Sequence, residues 1–386
     1  MHTGNWLEVT LLKQKKKRAL DLMNTPASLT PQGPLRFWIY QRERFPLMAH
    51  APLIACFSFC AISYSAQLRG GNPGWFPVLV AFISCLISFL HLRIADEFKD
   101  FEDDRTFRPY RPVPRGLVTL RELGWIWIGT GLIQLTLALI LDRWLVAILL
   151  TTWLYLALMT REFFVRDWLK AHPVFYMTSH MVIMPLVDFY ATSCDWMPAG
   201  QGVPAGLFWF LVVSYFNGIT LEVGRKIRAP QDEEHGVETY SALWGRSTAV
   251  GVWWFAMAAT AMAGIMAARA IHFVETAAIV YSCVLLIAFI AGSKFLRSPE
   301  TRRARGLEAL SGLWTMTLYL VLGALPLVLR VLAKGINTKP YFYIPIPAAK
   351  KCPLAARLNH YGCWASRVFL FRHGWQCCRQ TAVTWR

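Results

Sequence analysis

Six acidic residues fall within nine positions, Asp96 to Asp104, of the stretch "RIADEFKDFEDDRTFRPYRPVPRG" (93–116). Carboxylates at this density repel one another unless cations neutralise them. On a helix, steps of four residues advance about 400°, so Asp96, Asp100 and Asp104 fall about 40° apart on one face. Glu97, three residues before Asp100, joins that face. Such a stripe suits Mg²⁺, which takes one or two carboxylates and completes its shell with water and phosphate oxygens. The plain alternative is a solvated loop flanking an apolar helix.

A second polar cluster occupies "NGITLEVGRKIRAPQDEEHGVETYSALWG" (217–245). Glu222 still lies within an apolar run, where an ionisable residue costs about 2.5–3.5 kcal/mol and faces a polar cavity as a rule. It is also spaced to pair with Arg225 or Lys226, and Arg228, Asp232, Glu233 and Glu234 follow. Two acidic patches with basic neighbours on one membrane face would make a site for a doubly charged anion bridged by metal.

The elements that must position these clusters are hydrophobic. Of 386 residues 55% are hydrophobic and only 16% charged, against about 25% charged in an ordinary soluble protein. The apolar residues gather into runs of roughly 17–25, the length of a helix that crosses a bilayer. Nine spans are predicted: Pro46–Leu68, Trp75–Ala95, Leu123–Leu141, Trp144–Thr160, His172–Cys194, Ala205–Gly224, Thr248–Ala268, Phe273–Lys294 and Leu307–Leu332. Runs this long without strand-like alternation specify helices, because lipid offers the backbone no hydrogen-bond partners. The expected fold is an all-α integral membrane protein, a bundle of about nine transmembrane helices with a central cavity.

The loops after the second, fourth, sixth and eighth spans are rich in Lys and Arg, and those between them are not. The positive-inside rule then puts the even-numbered loops and the N-terminus in the cytosol, and both acidic clusters with them. Residues 1–34, which include "KQKKKR" (13–18), read as a basic cytosolic arm near anionic lipid rather than a signal peptide. Residues 35–332 form the membrane domain. The remainder, 333–386, carries nine Lys or Arg from Lys334 on, with no acid after Glu308. With nine spans that charge would lie on the wrong side, so the segment reads as a disordered basic tail or an out-of-frame gene end. The nine cysteines include no CxxC pair, and neither a disulfide framework nor a zinc site is indicated.

At these motifs the chain resembles the UbiA family of intramembrane prenyltransferases. The family's first motif, Asn-Asp-x-x-Asp-x-x-x-Asp, corresponds to "DEFKDFEDD", with Asp96 for Asn, Glu97 for Asp, and Asp100 and Asp104 unchanged. An Arg-Pro loop follows it here too, as "RPYRPVPRG". The second motif is matched in spacing by Asp232, Gly236, Thr239 and Gly245, but the Asp expected four residues before Asp232 is Arg228.

The resemblance implies transfer of a prenyl group from an isoprenyl diphosphate to an aromatic or lipidic acceptor in the membrane, with Mg²⁺ between the two motifs. It implies metal ligands among Asp96, Glu97, Asp100, Asp104, Glu222 and Asp232, the catalytic set being these without Glu222. Arg111, Arg115, Arg161, Lys226 and Arg228 become diphosphate partners, with Lys99 and Arg225 as further candidates. Tyr155, Tyr176, Tyr215 and Tyr240 are candidates to face an allylic cation, each worth about 0.5–2 kcal/mol. His180 reads as packing between helices rather than as a base. The expected location is a membrane of the bacterial inner type, with the site facing the cytosol. Two other readings are transfer of phosphoribosyl to a polyprenyl phosphate by the same fold, and a secondary transporter.

Overall fold

The structure, a computed structural model, describes residues 33–234 and 237–337, with side chains as far as residue 332. The basic arm expected over 1–34 (except Gly33 and Pro34) and the tail expected over 333–386 (except the backbone of 333–337) lie outside the described residues.

All regular structure among the described residues is helical. A short α1 (Leu35–Arg44) leads into α2 (Leu47–Leu68) and α3 (Trp75–Lys99), then into the short α4 (Phe101–Phe107). The chain continues through α5 (Leu120–Leu141), α6 (Leu145–Thr160), the short α7 (Arg166–Ala171), α8 (Pro173–Met181) and α9 (Ile183–Trp196). The second half holds α10 (Leu207–Arg225), a single turn α11 (Tyr240–Leu243), α12 (Arg246–Ala270), α13 (Val274–Arg297), α14 (Thr301–Tyr319) and α15 (Leu325–Asn337).

Among the described residues eight segments are long and apolar enough to cross a membrane, with α8 and α9 together making one span and residues 301–332 another. The remaining expected span, Trp144–Thr160, is α6, which is apolar but has only 16 residues. At 1.5 Å per residue it covers about 24 Å, less than the roughly 30 Å hydrocarbon core. Large apolar side chains such as Leu132, Ile140, Phe255, Met262, Ile279 and Leu286 stand exposed on the outside of the bundle. In water such a surface would aggregate; in lipid it is the stable arrangement.

Inside, α9 packs against α2, α3, α6 and α10, and α10 against α12 and α14. The last span bends through a π-helical turn at Leu320–Ala324. There a Cβ on Gly323 would stand 2.4 Å from the Cα of Cys60 on α2, so only glycine admits this contact.

The helices outrun the apolar runs at the end that carries the motifs. No helix breaker interrupts "RIADEFK", so α3 continues four residues past Ala95 to Lys99. Asp100 (φ −95°, ψ 8°) then departs from helical geometry, and α4 begins beyond it. A small separate core of Tyr40, Ile94, Val113, Leu117, Val118 and Leu123 packs α1 and the loop after α4 against α3 and α5. A capping box between Thr119 and Glu122 ends that loop and starts α5.

Candidate active site

A cavity of about 670 Å³ lies where α3, α6 and α10 end. Its walls come from Arg44 of α1, the α3–α4 junction, residues 159–184 and the segment from Glu222 to Leu243. The two sequence clusters, more than a hundred residues apart, thus line one space.

The carboxylates of the first cluster have separate fates. Asp96 lines the cavity with its side chain 42% exposed, and its partner is Arg93 at 3.4 Å. Asp100 also lines it, and among the described residues its side chain has neither a hydrogen bond nor an ion pair. Burial raises the Asp100 pKa; Lys99 opposes this, and the Asp96 and Asp104 carboxylates add to the rise. Asp104 is buried and accepts from Arg108 at 3.1 Å and from Arg111. Glu97 is buried, lies outside the lining, and accepts from Nε of Arg44. The single acidic face expected over Asp96, Glu97, Asp100 and Asp104 therefore divides. Asp96 and Asp100 are open to a ligand, while Glu97 and Asp104 are held by arginines.

The basic residues divide too. Arg111, Lys226 and Arg228 line the cavity, with Lys99, Arg225, Arg166 and Lys170. Arg115 does not: it donates to Glu43 at 2.9 and 3.0 Å and to the Tyr110 carbonyl, fastening the loop to α1. Arg161 stands exposed at the end of α6, outside the lining.

The expected meeting of Asp232 with the first cluster is not what the structure has. Asp232 lies outside the lining and accepts from the Thr301 hydroxyl at 3.0 Å, joining its loop to the start of α14. Glu222 does line the cavity, but both its oxygens are taken. Oε2 accepts from Arg225 at 2.5 and 2.8 Å, and Oε1 lies 3.0 Å from Nζ of Lys226. Arg228 donates its backbone N–H to the Ser241 hydroxyl at 2.7 Å, and its side chain reaches Glu308 at 3.5 Å.

Lys99 is a well-enclosed cation of the site, as Arg44 is. Its ammonium donates to the Tyr176 hydroxyl, lies 5.0 Å from the centre of that ring and is 4.0 Å from Glu162. Glu162, buried, also pairs with Arg166 at 3.0 Å. It begins a turn in which Glu162, Phe163 and Phe164 all have positive φ, 48°, 53° and 62°. Three successive left-handed residues cost roughly 1–2 kcal/mol each, a strain offset by the ion pairs and by Phe163, whose ring meets Tyr155 and His180.

Deeper, the lining turns apolar, with Met159, Met177, Met181, Met184, Leu92 and Ile183. Thioether chains adapt to irregular apolar ligands. Tyr176 stacks on His180 at 4.1 Å, and Tyr240 lines the cavity beneath Lys226, 5.2 Å from its ring centre. Tyr155 and Tyr215 lie outside the lining and donate to the carbonyls of Ser179 and Thr178. His180 keeps Nδ1 2.8 Å from the Tyr176 carbonyl. Asp188 is buried away from the cavity and accepts from Tyr319 at 2.6 Å.

Sequence reading passed over Arg44, Glu162 and Glu238, all of which line the cavity. Glu238 stood in view inside the second stretch, and Glu162 is spaced to pair with Arg166, but Arg44 carries no local signal: it matters through Glu97, far away in the chain.

Among the described residues no three His, Cys, Asp or Glu side chains converge to hold a metal ion by themselves. Two open carboxylates, one of them half-buried and charged at a cost, nevertheless fit a divalent cation whose other ligands are phosphate oxygens and water. Asp96 and Asp100 are the pair that fits.

The model of the UbiA prenyltransferase family matches residues 56–315. Among solved structures, a UbiA homolog from Aeropyrum pernix K1 aligns over 72% of this chain and 98% of its own, at 15% identity and a TM-score of 0.55. A structure reported for digeranylgeranylglyceryl phosphate synthase aligns over 75% and 99%, at 14% identity and a TM-score of 0.54. Curated proteins include no match to the chain. Folded as these structures are, and matched by the family model from within the first membrane span to within the last, the chain belongs to the UbiA prenyltransferase family.

Proposed function

We propose that the protein transfers a prenyl group from an isoprenyl diphosphate to an aromatic or other hydrophobic acceptor within the membrane, with Mg²⁺ at Asp96 and Asp100. The observation that carries this reading is the layering of one cavity. Two open carboxylates and a set of Lys and Arg side chains surround its polar part, and methionines line its depth. A diphosphate with an apolar chain has the matching polarity.

The residues divide the work. Asp96 and Asp100 would hold the cation, which when bound neutralises charge on the leaving diphosphate. Lys99, Arg111, Arg225, Lys226 and Arg228 supply fixed positive charge at the same end, lowering the barrier to breaking the allylic C1–O bond. Tyr176 and Tyr240, stacked on His180 and Trp244, hold the Lys99 and Lys226 ammonium groups over their rings at the diphosphate end. The diphosphate end lies beside the basic loops, which supports a cytosolic orientation of the site.

Membranes containing the protein should consume labelled isoprenyl diphosphates in a Mg²⁺-dependent manner, with products identified by mass across donors of several lengths. Turnover of phosphoribosyl diphosphate with a polyprenyl phosphate, and none of the prenyl donor, would replace this reading with the other transferase chemistry.

A further inference from the structure

The family's two acidic motifs imply metal on both sides of the diphosphate, and here the second side does not fit one. Glu222 has each oxygen occupied by a cation, at 2.5–2.8 Å from Arg225 and 3.0 Å from Lys226. Asp232 lies outside the cavity, hydrogen-bonded to Thr301. The position that would carry another Asp carries Arg228, a residue of the cavity lining whose guanidinium reaches Glu308 at 3.5 Å. Only Glu238, exposed on the lining, is a carboxylate of this wall without a hydrogen bond or ion pair among the described residues. One carboxylate beside three cations is a poor site for a second dication, because each ammonium or guanidinium repels the ion that would sit there.

We infer that this site takes one divalent cation per diphosphate, at Asp96 and Asp100, and that Arg225, Lys226 and Arg228 do directly what a second metal would do. The inference rests on the reading of the cavity as a diphosphate site. Glu222 has a different part in it: it holds Arg225 and Lys226 side by side at the end of α10 and prevents their mutual repulsion from splaying them. A guanidinium recognises phosphate oxygens in a fork that no spherical ion reproduces. The arrangement therefore makes diphosphate binding on this wall independent of metal concentration.

The test counts metal rather than activity. The full-length protein in detergent is titrated with Mn²⁺ in the presence of inorganic diphosphate, and bound Mn²⁺ is measured by electron paramagnetic resonance. One Mn²⁺ per chain is expected, lost in Asp100→Asn and retained in Asp232→Asn and Glu238→Gln. Lys226→Ala and Arg228→Ala should weaken diphosphate about 10-fold each, the scale of one charge-assisted contact, with the count still one. Two Mn²⁺ per chain, falling to one in Asp232→Asn or Glu238→Gln, would overturn the inference and leave the diphosphate reading standing. Absence of both bound Mn²⁺ and bound diphosphate would remove the diphosphate reading as well.

Discussion

The guanidinium of Arg44 on α1 is paired with the carboxylate of Glu97 on α3, 53 residues further along, and both side chains are almost wholly enclosed. Burial alone would lower the Arg44 pKa; Glu97 reverses this, and the net shift is upward. Truncating one partner of a buried pair leaves an uncompensated charge at a cost of about 3–5 kcal/mol. Glu97→Ala should therefore lower the thermal unfolding midpoint by several degrees, followed by tryptophan fluorescence in detergent. Mn²⁺ affinity should stay within about twofold. A collapse of metal affinity with an unchanged midpoint would return Glu97 to the metal.

The acids of the α3–α4 junction should differ sharply in effect. Asp100→Asn and Asp96→Asn are expected to lower Mg²⁺-dependent transfer at least ~10-fold, the scale on which even outer-shell metal contacts act. Asp103, three residues on from Asp100, pairs at 3.7 and 3.5 Å with Arg166 and Lys170, all of them largely exposed. Exposed pairs contribute about 0–1 kcal/mol. Asp103→Asn should change transfer less than about threefold, and equal losses at both positions would dissolve the distinction.

Lys99 and Tyr176 form the next pair to separate. A hydrogen bond to a charged group contributes about 1.5–3 kcal/mol. Lys99→Met should raise the KM for the prenyl donor about tenfold or more. Tyr176→Phe, which keeps the ring under the ammonium, should cost less than Lys99→Met. If Tyr176→Phe is the more damaging, the hydroxyl contacts substrate rather than holding Lys99.

At Gly224 the end of α10 touches α14 without a side chain between them. A Cβ there would come within 2.0 Å of the Ser311 hydroxyl oxygen, which already accepts from the Trp253 indole at 2.8 Å. Overpacking of this kind costs about 1–3 kcal/mol. Gly224→Ala should lower thermal stability and, because Glu222 and Arg225 sit on the same turn, weaken donor binding. Ser311→Gly in the same chain should recover part of both, and no recovery would place the damage elsewhere.

The spans were legible because lipid imposes a simple rule: α2, α3, α5, α10 and α13 lie within a few residues of the predicted runs. Their polar ends were less so. Hydropathy detects where a run stops being apolar, and "DEFK" continues α3 with no apolar signal. The motifs were visible too, and both reach the cavity. Their membership was not: Arg115 and Asp232 have the residue type and the spacing, yet one fastens a loop to α1 and the other joins α14.

By itself the sequence determined a membrane bundle with acids and bases collected at one end, since both properties depend on composition along single helices. Only the tertiary structure decided which carboxylates remain open to a ligand. That depends on arginines delivered from elsewhere in the chain, Arg44 to Glu97 across 53 residues and Arg111 to Asp104 round a loop. Helical periodicity describes a residue's neighbours on its own helix; a charge is satisfied by whatever the fold brings against it.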